Sequence, residues 1–480
     1  MCCNFTGVYR KRENMIYIDL ENTAFYDDAQ VLVKSFYPGA KTALKKSDVT
    51  PEPGDMVVSA EVPDCEKLGK KEAHDCFKRN LYLSLSAETN KTLPWGYLTG
   101  VRPSKIAYSM LESGFDETEI MREFEQEHFV SPGKAELALR VAKTERDILE
   151  RLDYQNGYSL YVGIPFCPTT CLYCSFTSYS LAANRSKVES YLDALIKEIH
   201  FVSGEMSGKR LDTVYIGGGT PTTLEPEQLD RLLTELERGF DMENVRELTV
   251  EAGRPDSVTE EKLRVLKEHG VGRISINPQT MNDKTLEIIG RRHSAAQVEE
   301  AFWLARKAGF DNINMDIILG LPGEGIDEVR ATLERISALK PESLTVHSLA
   351  IKRAAALNIW REKYIDLKFE NSDEIVSLAA EYAKKIGCEP YYMYRQKNMA
   401  GNLENVGYAL PGRECIYNIL IMEEKQTIIA VGAGASTKVV FDAGSSSPRI
   451  ERVENVKDLT SYIERIDEMI MRKKNFFKNN

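Results

Sequence analysis

From Tyr158 onward the hydrophobic positions of the chain alternate between two periods. Short apolar, β-branched runs at Tyr158–Ile164, Thr213–Ile216, Glu247–Glu251, Arg273–Asn277, Asn312–Leu319 and Ser343–Leu349 read as strands. Between them, Lys187–Met206, Glu227–Arg238, Glu260–His269, Ala295–Ala308 and Ile326–Leu339 carry apolar residues at helical spacing, with Gly270 and Gly309 placed as helix stops. Strand and helix in alternation predict a parallel sheet covered by helices, here an open or partial barrel of six βα units. Chemistry in such folds collects at the carboxyl ends of the strands.

The flanks differ in character. MIYIDLEN (Met15–Asn22) and MVVSAEV (Met56–Val62) alternate like half-buried strands, while Pro103–Ser113 and Pro132–Leu152 read as helices with proline at the start. This predicts an accessory α/β domain over residues 1–152. After the barrel come a helix at Asp373–Ile386, a tyrosine-rich stretch at Pro390–Asn402 and a strand at Ile428–Ser436. The basic end from Arg472 is expected to fray.

Length agrees with that division, since 480 residues make roughly three domains of about 150. The 62 Lys and Arg against 73 Asp and Glu give a net charge of −11, which argues against general attraction to nucleic acid. No apolar stretch reaches the roughly 18 residues of a membrane span, and the start, soon charged at Arg10, Lys11 and Arg12, lacks a secretory core. A cytoplasmic protein is expected, with no membrane or nucleic-acid partner.

The nine cysteines sharpen the picture. Cys167, Cys171 and Cys174 form a C-x3-C-x2-C run in YVGIPFCPTTCLYCSF, whereas Cys2, Cys3, Cys65, Cys76, Cys388 and Cys415 are scattered, as small buried hydrophobes are. In a reducing compartment the cluster reads as metal chemistry rather than as a disulfide staple. Structural zinc wants four ligands and no fourth Cys or His lies nearby, so three thiolates point to a 4Fe-4S cluster with one iron left open for a substrate or cofactor.

The remaining unusual residues fall on the same rim. The cysteine loop follows the first barrel strand, GGGTPT (Gly217–Thr222) follows the second, and Glu251 closes the third. Gln279 follows the fourth, Asp316 lies within the fifth, and His347–Ala350 end the sixth. Taken singly, a glycine run is a tight turn, a glutamate is a surface carboxylate, and His293, His347 and Trp95 are hydrogen-bonding or packing residues. Their joint order is what carries the signal.

YVGIPFC, CLYC, GGGTPT, the Glu of VEAGRPD, INPQT, GRRH and NMDIILGLP, in this order, resemble the radical S-adenosylmethionine enzymes of the oxygen-independent coproporphyrinogen III oxidase type. WGYLTGVRPSK (Trp95–Lys105) further resembles the HemZ-type coproporphyrinogen dehydrogenases. The resemblance implies an α/β fold: a partial (β/α)6 radical SAM barrel over 153–365, the accessory domain before it, and a smaller α+β extension over 366–480 that completes the substrate pocket. It implies cluster ligands Cys167, Cys171 and Cys174, with Tyr161, Tyr173, Gly218 and Glu251 contacting the S-adenosylmethionine at the cluster. It further implies a second S-adenosylmethionine lined by Gly219, Thr220, Gln279, Arg291, Asp316 and Ala350.

The implied reaction converts two propionates of coproporphyrinogen III to vinyl groups, giving protoporphyrinogen IX in haem biosynthesis, with an electron donor such as flavodoxin or ferredoxin. The substrate's four carboxylates make Arg102, Lys105, Arg291 and Arg292 candidates for a basic pocket. Two departures bear on this activity. Phe176 stands where the best-known oxidases carry a fourth cysteine, and relatives lacking that cysteine include haem-trafficking proteins. The haem-chaperone branch has a His-Asn-x-x-Tyr-Trp type motif, of which GRECIYNILIMEE (Gly412–Glu424) keeps only Asn418. Haem binding and radical methylation of a tetrapyrrole are the alternatives on this scaffold.

Overall fold

The computed structural model describes residues 14–46, 50–99, 102–350, 369–396, 403–444 and 448–479. Cys2 and Cys3, the boundary expected at 365/366, and part of the tyrosine-rich stretch lie outside them. The chain divides into two compact units. The smaller comprises Met1–Val101, Asp116–Glu136 and Arg395–Asn402, and the larger Arg102–Phe115, Leu137–Tyr394 and Leu403–Asn480.

In the smaller unit Met15–Asp19 is the central strand of a three-stranded parallel sheet, between Lys41–Leu44 and Met56–Ser59. Alternation buries Ile16, Ile18 and Val58, and the helices Tyr26–Phe36 and Lys70–Thr89 bury Phe36, Phe77 and Leu81. Trp95 is fully buried, with the Arg395 guanidinium 5.2 Å from its ring.

The larger unit is built on the six expected strands: β1 (Gly157–Ile164), β2 (Arg210–Gly218), β3 (Glu247–Glu251), β4 (Arg273–Ser275), β5 (Ile313–Leu319) and β6 (Ser343–Ser348). All five neighbouring pairs are parallel. The connecting helices are α1 (Val188–Glu205), α2 (Pro226–Gly239), α3 (Glu260–Glu268), α4 (Ala295–Lys307) and α5 (Ile326–Leu339). Three of them have a local reason to start. Pro226 opens α2, Thr259 caps α3, and at α4 Ser294 and Gln297 hydrogen-bond to each other's backbone amides. The apolar stripe of α2, Leu229, Leu232, Leu233 and Leu236, is buried.

The C-terminal residues extend the same sheet. β7 (Glu389–Tyr394) and β8 (Asn405–Ala409) add antiparallel at the β6 edge. β9 (Thr427–Val431) pairs parallel with β1, and β10 (Ser436–Phe441) and β11 (Arg449–Glu454) follow antiparallel. The full order is β7-β8-β6-β5-β4-β3-β2-β1-β9-β10-β11.

Two expectations are corrected. The strand expected over Ile428–Ser436 ends at Val431, because Gly432 and Gly434, at φ +107° and +71°, turn the chain into β10. The end from Arg472 is not frayed: Ile466–Asn479 is a helix, and Lys473 is fully buried with its Nζ 2.7 Å from Glu198 Oε1.

Candidate cluster and cofactor site

The cysteine loop leaves the carboxyl end of β1 and is fastened on two sides. On one side Gly219 N donates to Ile164 O and Thr220 N to Phe166 O, both at 2.7 Å. A Cβ on Gly219 would meet Phe166 O at 2.5 Å, and Gly218 holds φ +109°, so this close approach requires glycine. On the other side Leu172 N donates to Ile289 O at 3.0 Å, and Thr169 Oγ1 donates to Gly290 O at 3.0 Å.

Cys167, Cys171 and Cys174 are all free thiols. Thr220 Oγ1 donates to Cys167 Sγ at 3.6 Å, and Arg254 Nη1 to Cys171 Sγ at 3.9 Å. Burial pushes Cys167 up to about 11 and Cys174 upward as well, so without metal both are protonated, and metal binding would displace the protons. Among the described residues no three His, Cys, Asp or Glu side chains close on a single ion. A donor set spread along one loop suits a multi-iron cluster, in which each thiolate holds its own iron.

The other expected positions fall into linked groups. Tyr161, Gly218 and Glu251 lie together: the Tyr161 hydroxyl would stand 3.1 Å from a Cβ on Gly218, and Glu251 accepts from the Tyr215 hydroxyl at 2.6 Å. Burial pushes Glu251 up to about 7; the Tyr215 hydrogen bond opposes this and the Asp316 charge adds to it. Tyr173 and Arg291 form a second group beside Cys171, with Arg291 Nη1 donating to Asn277 O at 2.6 Å. Thr220 is tied to Cys167.

Gln279 holds a left-handed φ of +67°, unusual for a non-glycine residue. Its backbone takes part in the β5 ladder, donating to Asp316 O and accepting from Ile318 N, both at 2.9 Å. Burial alone would raise the Asp316 carboxyl, but His347, with Nε2 3.9 Å from Oδ2, and the hydrogen bond from Asn314 outweigh it and hold the group below its ordinary value. Ala350 lies two positions beyond β6 and is partly exposed.

Arg102 and Lys105 are committed elsewhere. Arg102 donates to Glu424 Oε2 at 2.8 Å and Lys105 stands 3.9 Å from the same oxygen, so of the expected basic candidates Arg291 is the one beside Cys171, while Arg292 is exposed.

Several residues went unread in the sequence. Arg254, buried against the loop, stands in the VEAGRPD run, of which only the Glu was read as a site residue. Tyr215 on β2 and Tyr417 stack at 4.5 Å between centroids, and each lies 6.3 Å from Tyr161. Arg273 and Glu247 are buried at the opposite end of the strands, where Cys415 Sγ donates to Glu247 Oε1 at 3.2 Å. Near the rim, Asn277 Oδ1, Gln279 Oε1, Arg291 Nε and both His293 nitrogens are buried without a hydrogen-bond partner. Native proteins leave few such groups orphaned, and a polar cofactor would satisfy them. Tracking which strand-end side chains face the lumen is the signal that would have flagged Asn277.

Residues 161–336 match the Radical SAM superfamily. The chain is 42% identical over 409 residues to the oxygen-independent coproporphyrinogen-III oxidase-like protein HemZ of Bacillus subtilis, covering 83% of this chain and 81% of that one. The chain belongs to this radical SAM family. Members use a 4Fe-4S cluster and S-adenosylmethionine, and the residues described above fit both groups. The heme chaperone HemW of Lactococcus lactis is 33% identical over 321 residues, 67% of this chain and 79% of the relative. The solved coproporphyrinogen III oxidase HemN of Escherichia coli shares the fold, with a TM-score of 0.53 at 23% identity, over 68% of this chain and 73% of that one.

Proposed function

We propose that this radical SAM protein carries out the oxygen-independent oxidative decarboxylation of coproporphyrinogen III to protoporphyrinogen IX. The observation that carries the reading is the fastened loop of three free thiols at the carboxyl end of β1, where the strand-end residues Asn277 and Gln279 also hold buried polar atoms without partners. The likeness to HemZ supports the substrate class. Cys167, Cys171 and Cys174 would hold the cluster, which with S-adenosylmethionine supplies one-electron bond-cleavage chemistry. Tyr161, Tyr173, Gly218 and Glu251 would orient the bound cofactor, Glu251 by accepting from its ammonium or a ribose hydroxyl. Gly219, Thr220, Gln279, Arg291, Asp316 and Ala350 would line a second cofactor molecule, Arg291 pairing with a carboxylate in a forked geometry.

Each of the two propionates would lose a β-hydrogen atom to the adenosyl group, which leaves as deoxyadenosine, together with carbon dioxide, and would pass one electron to an external one-electron acceptor to become a vinyl group. The extension over 366–480 would complete the substrate pocket, and the domain over 1–152 would serve either pocket closure or docking. A flavodoxin- or ferredoxin-like protein would supply electrons, in the cytoplasm and without nucleic acid. No helix among the described residues is long and apolar enough to cross a membrane.

The test is anaerobic reconstitution followed by product analysis with coproporphyrinogen III, S-adenosylmethionine and a low-potential reductant. Vinyl products with deoxyadenosine are expected; neither would appear if the reading is wrong. Haem binding is the second reading, favoured by the likeness to HemW and by Phe176 at the fourth-cysteine position. Cys415 is fully buried on Glu247 and is poorly placed as its iron ligand. A stoichiometric Soret shift with haem, without vinyl product, would favour it. A methylated tetrapyrrole would point to the methyltransferase alternative.

A further inference from the structure

Of the three thiols, Cys171 has two buried cations against it, Arg291 and Arg254. Arg254 is 3% exposed, and its Nη1 reaches Cys171 Sγ at 3.9 Å and Thr169 Oγ1 at 2.9 Å. One guanidinium thus grips the cysteine loop at two points. Its other edge is forked onto Asp256, Nε to Oδ1 at 2.9 Å and Nη2 to Oδ2 at 2.8 Å. The backbone between the two residues is stiff: Pro255–Ser257 is a single 3-10 turn, and both Ser257 N and Ser257 Oγ donate to Arg254 O, at 2.9 and 2.7 Å. The Cys167 sulfur, by contrast, receives the neutral hydroxyl of Thr220.

The signs of these charges matter because of where they stand. The cation touches the sulfur side, and its carboxylate partner is held on the far edge of the guanidinium. His293 lies 4.0 Å from Asp256, and burial together with the Arg291 and Arg254 charges keeps it neutral, so it does not offset the Asp256 carboxylate. A positive charge in a dry site favours whichever state of its neighbour is more negative. Charge and hydrogen bonds at the coordinating sulfurs are the protein's levers on the potential of an iron–sulfur cluster.

We infer that Arg254 raises the reduction potential of the cluster held through Cys171, and that Asp256 partly offsets it. The inference rests on the proposed function, which supplies the cluster. Reduction adds one electron from an external low-potential one-electron donor, with no bond made or broken in the protein, and leaves the thiolate-bound group one unit more negative. Arg254 makes that added charge less costly. It acts through Cys171 and is a positioning residue.

The experiment is a potentiometric titration of the anaerobically reconstituted full chain, followed by electron paramagnetic resonance, alongside iron and sulfide analysis. R254Q is expected to shift the midpoint to more negative potential and D256N to more positive potential, with iron and sulfide per chain unchanged. R254K, which keeps the charge without the fork, is expected to stay closer to the unmodified chain than R254Q does. The inference is overturned if R254Q holds a full cluster at an unshifted potential, if R254K departs further than R254Q, or if D256N shifts negative. Should R254Q lose its iron, D256N decides by sign: a positive shift supports the inference, and no shift or a negative one overturns it. An unmodified chain that takes up no cluster overturns the proposed function itself, a result separate from any ordering of the variants.

Discussion

Gly219 shows how little room the site leaves. Its missing side chain lets the β2 turn hydrogen-bond to the cysteine loop, and G219A would force a methyl to within 2.5 Å of Phe166 O, which is backbone and yields little. Overpacking of this kind costs about 1–3 kcal/mol, so G219A is expected to lower the urea midpoint and reduce iron per chain on reconstitution. G133A makes the contrast: at a helix start with nothing within 4 Å, it is expected to leave iron uptake unchanged. Glu251 makes a different prediction. Its ordinary value is 4.5 and the folded chain raises it to about 7, chiefly by burial, so the folded state binds this proton more tightly. The resulting stability is fully present below 4.5 and is lost as pH rises through about 7. E251Q cannot ionise. The melting temperature of metal-free E251Q relative to the unmodified chain should therefore climb between those limits and level off above them. The cysteines and glycines of this site were legible because metal ligation and tight turns restrict residue type at fixed spacing. Arg254 and Tyr215 were not, because an arginine in a loop and a tyrosine in a strand have many ordinary uses, and only the fold brings them to Cys171 and Glu251.

The six barrel strands were legible for a related reason. A strand covered on both faces must be apolar almost throughout, as the burial of β1 shows, and such runs stand out between polar helix faces. The C-terminal helix was hidden by the same logic. Ile466–Asn479 ends in lysines that look solvated, yet Lys473 is drawn inside by Glu198 on α1. Glu198 gathers donors from three more places: Gly432 N at 2.9 Å, Asn455 Nδ2 at 2.8 Å and the Tyr462 hydroxyl at 2.5 Å. One buried carboxylate thereby ties α1, the turn after β9 and the helices Leu459–Glu464 and Ile466–Asn479 together. Removing one partner of a buried ion pair typically costs about 3–5 kcal/mol. K473A is expected near the lower end of that range, since three donors to Glu198 remain, and it would be read as a lowered denaturant midpoint. E198A should cost more than K473A, because it leaves Lys473 without its counter-charge and Gly432 N and the Tyr462 hydroxyl without their acceptor.

At the scale of the whole chain, the division into units changes how the front region must be tested. Reading domains along the sequence places a boundary at 152, and deleting everything before the barrel is the natural experiment on a closing domain. Yet Arg102–Phe115 and the segment from Leu137 belong to the larger unit. Within that unit Ala138, Val141, Ala142 and Leu149 are buried, Arg102 pairs with Glu424, and Glu112 pairs with Lys425 at 3.1 Å. A chain starting at residue 150 strips these helices away and uncovers the apolar surface they protect. It is expected to lose its cooperative unfolding transition and to bind a hydrophobic dye, so absence of turnover in it says nothing about closure. A chain starting at residue 102 keeps both helices and should retain a cooperative transition and full iron uptake. Turnover undiminished in that shorter removal would argue against a closing role for the front domain. Turnover lost while the cluster and the transition survive would support one, since the barrel and its loop would then be intact and only the access of substrate changed.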